Sequence, residues 1–139
     1  MVTFHKITRG QSRNIDRYGS GQFGASRGNR AHHGLDIMAR PGESVLSPID
    51  GDVIRESMPY PQDPRYRGLV IRGTGQWDGY EVKMFYVLGI LSGQVKAGQI
   101  IGTAQDLSGR YPGITNHVHI EVRLRGNLLA PMDMFGICF

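Results

Sequence analysis

LDIMARPGESVLSPIDGDVI, residues 35–54, decides the fold class of this chain. Residues 35–38 are a short apolar run, and Arg40-Pro41-Gly42 is a turn. Residues 44–49 make a second extended run, and Asp50-Gly51 is a two-residue hairpin signal from which residues 52–56 return. The same punctuation continues downstream. Residues 69–72, 80–90 (the longest run), 100–104 and 117–124 read as strands; 73–79, around Trp77, and 94–99 read as turns. Residues 58–68, with three prolines, and 105–116 are loops, and 126–139 is a tail. Short strands at intervals of roughly 8–12 residues, with no window of strong helical period, predict an all-β sandwich or barrel.

Composition points the same way. The 139 residues include 20 glycines and 7 prolines, and helix interiors do not accept glycine at that density. The glycines follow no fixed period, so a helical bundle, a coiled coil and collagen are all excluded. One domain is expected, with a core large enough to need no staples. Residues 1–31 read as an ordered arm packed on that core, and residues 32–139 as the β domain proper. Cys138 is the single cysteine, which rules out an intramolecular disulfide and points to folding in a reducing compartment. The opening MVTFHKITRG lacks the apolar stretch of a signal peptide, and nothing approaches the ~18 apolar residues of a membrane span. The expectation is synthesis in the cytoplasm and, for work at the periplasm or cell wall, a non-classical or specialised export route. The formal charge is +4, from 16 Lys+Arg against 12 Asp+Glu. Such a surface favours anionic partners. The arginines form no run and no single-strand-binding pattern is visible, so nucleic acid is not expected as a partner. A monomer is expected.

The five histidines carry the chemistry. Two open HHGLD at 32–36, two sit in NHVHIEV at 116–122, and His5 stands alone and reads as surface. In a strand at 117–124, Val118, Ile120 and Val122 share one face and read as core; His117, His119, Glu121 and Arg123 share the other. Two imidazoles at i and i+2 lie about 6.5–7 Å apart at their Cα atoms. One can then bind a metal while the other contacts water or substrate. His32 and Asp36 are zinc-ligand types with Gly34 between them, where the backbone can come close. His32, Asp36 and His119 together make three protein ligands, leaving the fourth position of a tetrahedral zinc open, as in catalytic sites. Taken singly, an H-x-H is more often a surface pair and an H-x-x-x-D is common by chance; the combination is what argues for a site. His33 alternates away from His32 and is the lesser candidate. Cys138 has no local histidine, SGQFG at 20–24 lacks a phosphate-loop signature, and Asp133 reads as a turn residue.

HxGxD at 32–36, VLSPIDGDVI at 45–54, GQIIG at 98–102 and HVHIEV at 117–122 together resemble the zinc metallopeptidases of the lysostaphin and LytM type. The resemblance implies a compact antiparallel β-sheet core of the duplicated hybrid-motif kind. It implies Zn2+ on His32, Asp36 and His119, with His117 as the catalytic histidine. It also implies, as substrate, the peptide stems or cross-bridges of bacterial peptidoglycan. NIDRYGSGQFGASR at 14–27, VKMFY at 82–86 and RYPGITNHVHIEV at 110–122 are closer still to the leukocyte cell-derived chemotaxins. That likeness implies retained zinc without assured peptidase activity. Two departures matter. Chemotaxins are cysteine-rich, and Ser20 stands where they carry a cysteine. Active peptidases of this type carry a Tyr-x-His string on a middle strand, where this chain has Tyr86-Val87-Leu88. Glu121 and Asn116 are expected to orient the imidazoles through their outer N–H groups. Two functions follow as expectations: a peptidoglycan endopeptidase, or a catalytically silent zinc module that binds a receptor or glycan.

Overall fold

The computed structural model describes residues 3–10, 34–90 and 92–130. Most of the expected arm, including SGQFG, lies outside these residues, as do His32 and His33 at the start of the β domain and Asp133 and Cys138 near its end. Among the described residues ten strands form two antiparallel sheets. In chain order they are β1 (Leu35–Met38), β2 (Ser44–Leu46), β3 (Gly51–Ser57), β4 (Gly68–Gly73), β5 (Tyr80–Phe85), β6 (Val87–Gly89), β7 (Gly93–Val95), β8 (Ile100–Ala104), β9 (His117–Leu124) and β10 (Asn127–Leu129). The larger sheet runs β1-β9-β5-β4-β3-β7, with β10 beside the far half of β9; the smaller is β2-β8-β6. The helical content among the described residues is a single 3-10 turn, Gly75–Trp77. The all-β antiparallel expectation is met. No helix among the described residues is long and apolar enough to cross a membrane.

Alternation builds the core. Val82 and Met84 of β5, Leu69 and Ile71 of β4, and Val118, Ile120 and Val122 of β9 join Val45, Val87 and Ile101 of the smaller sheet in one buried apolar cluster. Each such side chain contributes about 1.5–3 kcal/mol by leaving water. Residues 3–10 add to it. Ile7 is fully buried, and the Phe4 ring meets Trp77 edge-on at 5.2 Å and Tyr80 at 5.9 Å. The backbone is tied as well: the His5 N–H donates to Pro48 O and the Leu46 N–H to Ile7 O, both at 2.9 Å. His5 itself is exposed.

Three local expectations are corrected. Asp50-Gly51 does not close a hairpin. Strand β2 ends at Leu46, and Ser47 leaves it by donating its N–H to Gln99 O. Pro48 follows with no N–H to give. The chain then crosses to the larger sheet, where Gly51 faces Gly73 and Val95. A Cβ on Gly51 would stand 2.3 Å from Arg72 O, so the strands there pack too closely for any side chain. The long run 80–90 is two strands in two sheets. It breaks at Tyr86, whose φ of 71° lies in the left-handed region. The N–H groups of Tyr86 and Val87 both donate to Arg67 O, and the Tyr86 carbonyl accepts from Gln105 N–H. Finally, a hairpin stands where a plain tail was expected. Arg125 and Gly126, at φ 49° and 87°, form the two-residue turn between β9 and β10.

Candidate active site

Register assembles the site. In the β1–β9 ladder Asp36 lies opposite His119, and in the β5–β9 ladder Phe85 lies opposite His119 and Lys83 opposite Glu121. Directly opposed residues share a face. Asp36, His119, Phe85, Lys83 and Glu121 therefore gather on the face of the sheet away from Val118, Ile120 and Val122. His117 joins them two residues along β9. Asp36, His117, His119 and Glu121 are all buried.

The carboxylate of Asp36 sits between the two imidazoles. Its Oδ1 is 2.9 Å from His119 Nδ1 and its Oδ2 is 3.5 Å from His117 Nε2. His117 Nδ1 lies 2.8 Å from the Thr115 carbonyl, which can only accept, so Nδ1 carries the hydrogen. In the neutral ring that leaves Nε2 as a lone-pair nitrogen beside Asp36. The His119 ring stacks on Phe85 at 5.3 Å and 16°. Its Nε2 is 3.9 Å from Glu121 Oε1, and Lys83 Nζ is 3.7 Å from the other Glu121 oxygen. Burial alone would push the His119 imidazolium down, but hydrogen bonds to Asp36 and Glu121 outweigh it and hold His119 above the ordinary range. Burial likewise opposes the charge on Glu121. There the His119 contact, with Lys83 and Arg123 behind it, outweighs burial and keeps the carboxylate low.

Donor atoms around a tetrahedral zinc, at bond lengths of about 2.0–2.1 Å, lie about 3.3 Å apart. The Asp36–His119 pair, a hard oxygen facing an imidazole nitrogen at 2.9 Å, fits two places of such a site. Gly34 shows how closely the backbone is drawn in. A Cβ there would stand 2.8 Å from His119 Nε2 and Cε1, and 2.4 Å from Ile120 O. The third expected ligand, His32, lies outside the described residues. Among those residues, no three His, Cys, Asp or Glu side chains converge as a metal cage.

Asn116 departs from its expected place. Its Oδ1 accepts the Leu107 N–H at 2.8 Å, and its Nδ2 donates to Ala39 O and Gln105 O, both at 2.9 Å. It holds three backbone segments together and bonds to neither imidazole, because successive side chains of an extended chain point apart. Tyr111 is a residue that the sequence offers in place of the absent histidine; the aromatic wall that Tyr86 and Tyr60 build with it is not visible there. The Tyr86 ring meets His117 edge-on at 5.4 Å. The Tyr86 hydroxyl is 2.7 Å from that of Tyr60, which is 2.5 Å from that of Tyr111. The Arg110 guanidinium lies 3.7 Å over the Tyr60 ring and reaches Asp63 at 3.1 Å. Burial pushes the Tyr86 hydroxyl up to about 12. Leu88, where the resemblance leads to the expectation of a histidine, is 51% exposed on β6.

The model of peptidase family M23 matches residues 30–131. The chain belongs to peptidase family M23. Within it, the chain is 37% identical over 113 residues to leukocyte cell-derived chemotaxin-2 of Mus musculus, covering 78% of this chain and 71% of that protein. Lysostaphin of Staphylococcus simulans superposes with a TM-score of 0.66 at 18% identity, over 96% of this chain and 55% of its own. A zinc-containing peptidase from Vibrio cholerae superposes with a TM-score of 0.61 at 23% identity, over 94% of this chain and 39% of its own. This M23 chain thus spans about half or less of those two solved proteins. At such identities they speak for the fold, and the sheet order and site register described above are what this chain brings to it.

Proposed function

We propose that this chain is a zinc metallopeptidase that cuts the peptide stems or cross-bridges of peptidoglycan. The observation that carries the reading is the placement of His117 Nε2. It is a buried base nitrogen whose partner nitrogen is tied to Thr115 O, facing the same carboxylate that faces His119. Asp36 and His119 would hold the metal together with His32. A zinc bound there supplies Lewis acidity, polarising the scissile carbonyl and acidifying the attacking water. His117 accepts the water's proton at Nε2 and passes it to the leaving amine. Thr115 O keeps that ring in the tautomer the task needs. Glu121, held ionised chiefly by its contact with His119 and also by Lys83, stands at the far nitrogen of His119 and fixes its orientation. Phe85 limits rotation of the same ring and keeps water off its face.

A second reading is favoured by Leu88. An aliphatic side chain replaces a hydrogen-bond donor that the active peptidases carry, and loss of one such donor can cost on the order of 10²–10³ in rate. On this reading the chain keeps zinc for structure and binds a receptor or glycan, in the manner its likeness to chemotaxin-2 suggests. Digestion of purified sacculi by the zinc-loaded protein separates the two. The peptidase reading expects soluble muropeptides with new amino termini, and an absence of release anywhere between about pH 5 and 8 would refute it.

A further inference from the structure

Next to the histidine cluster, and separate from it, runs a cleft of about 1160 Å3. Thr115, whose carbonyl fixes the His117 tautomer, and Asn116 contribute to its wall. The lining is of two kinds. Met38, Leu46 and Ile100 are apolar, and Ile100 is 60% exposed, the most exposed large apolar side chain among the described residues. Lys6, Arg9 and Arg40 are cations, and their side chains have no hydrogen-bond or ion-pair partner among the described residues. The carboxylate in the lining is already engaged. Glu43 accepts the backbone N–H of Arg9 on Oε2 and that of Arg40 on Oε1, both at 2.9 Å. It fastens the two backbones and leaves the two guanidinium groups to solvent. Three cations against one carboxylate leave the cleft positive.

A single exposed isoleucine is ordinary. An apolar floor rimmed by uncommitted cations, in a concavity beside a buried base, has a definite complement. We infer that the cleft binds an acidic peptide segment, with carboxylates on Lys6, Arg9 and Arg40 and an apolar side chain against Met38, Leu46 and Ile100. The inference deepens the proposed function by naming the charge class of the peptide, and it rests on that reading for the role of His117 beside the scissile bond. A polyanionic glycan would use the rim and leave the floor bare.

The test titrates the wild type, and His117→Ala as a non-cleaving form, with two dye-labelled peptides read by fluorescence anisotropy. One alternates Glu and Leu; the other alternates Gln and Leu. The Glu peptide is expected to bind about tenfold more tightly at low salt, with the gap closing as salt rises. The double variant Arg9→Gln/Arg40→Gln lowers affinity for the Glu peptide about fivefold to tenfold and leaves the Gln peptide unchanged. Ile100→Ser weakens both peptides about fivefold, whereas Arg72→Gln, exposed on β4 and outside the cleft, changes neither. All four positions are exposed, so folding is not at stake. Equal affinity for the two peptides overturns the inference, as does indifference to the double variant. A sulfated oligosaccharide that binds more tightly than the Glu peptide and ignores Ile100→Ser also overturns it. The charge preference without any cleavage of wall peptides would refute the peptidase reading and leave the cleft standing. Cleavage without charge preference would do the reverse.

Discussion

Gly34→Ala tests how the site is built without replacing a proposed ligand. A Cβ at Gly34 meets Ile120 O at 2.4 Å and the His119 ring at 2.8 Å, well inside ordinary contact. One neighbour is backbone in the centre of β9 and cannot withdraw, because Ile120 is paired on one side with Leu35 and on the other with Met84. Relief must come from moving β1 or turning His119. To reach a normal separation of about 3.4 Å, β1 must shift by on the order of 1 Å. A functional constellation tolerates about 0.5 Å. Overpacking of this kind costs about 1–3 kcal/mol of stability, and misorientation of a metal-binding imidazole costs about 10–100-fold in metal affinity. The assay is zinc affinity by competition with a chromogenic chelator, alongside thermal melting. Gly109→Ala serves as the control, since a Cβ there finds only Tyr66 Oη, at 3.6 Å. Zinc affinity in Gly34→Ala within twofold of wild type, in a protein that melts normally, would refute the packing argument.

Phe4→Ala should destabilise the fold by about 3–5 kcal/mol, read as a lowered denaturant midpoint, because the ring is 2% exposed and meets both Trp77 and Tyr80; a change under about 1 kcal/mol would mean that residues 3–10 are not part of the core. Alkaline pH should destabilise the protein through Tyr86. Its hydroxyl is raised from 10.0 to about 12, chiefly by burial, so its contribution is complete below the unfolded value and is lost as pH rises from about 10 through about 12. Tyr86→Phe should flatten the melting temperature over that window, and an unchanged slope would contradict the assignment.

Much of the site was legible because strands have a period of two. HVHIEV divides unambiguously into Val118, Ile120 and Val122 inward, with His117, His119 and Glu121 on the other face. What pairs with that face is a matter of register, and neither strand's composition dictates it. The alignment of Phe85 and Lys83 on β5 with His119 and Glu121 on β9 therefore became visible only in the ladder. The break at Tyr86 was hidden for a similar reason. KMFYVLG is a continuous apolar and aromatic run, and its interruption depends on Arg67 O, a distant carbonyl that captures two successive N–H groups. At Asp50-Gly51 good local turn chemistry was overridden by Ser47 bonding to Gln99 and by the missing N–H of Pro48. Asn116 precedes His117 in the chain, but successive side chains of an extended chain point apart, so its amide serves Leu107 N–H, Ala39 O and Gln105 O instead.

The central claim is that His117 moves protons while Asp36 and His119 belong to the metal. The direct measurement pairs zinc content with muropeptide release from sacculi in wild type, His117→Ala and His119→Ala. The account predicts that His117→Ala keeps its zinc and loses release, whereas His119→Ala loses both. Release that survives in zinc-retaining His117→Ala, or zinc that survives in His119→Ala, would contradict it.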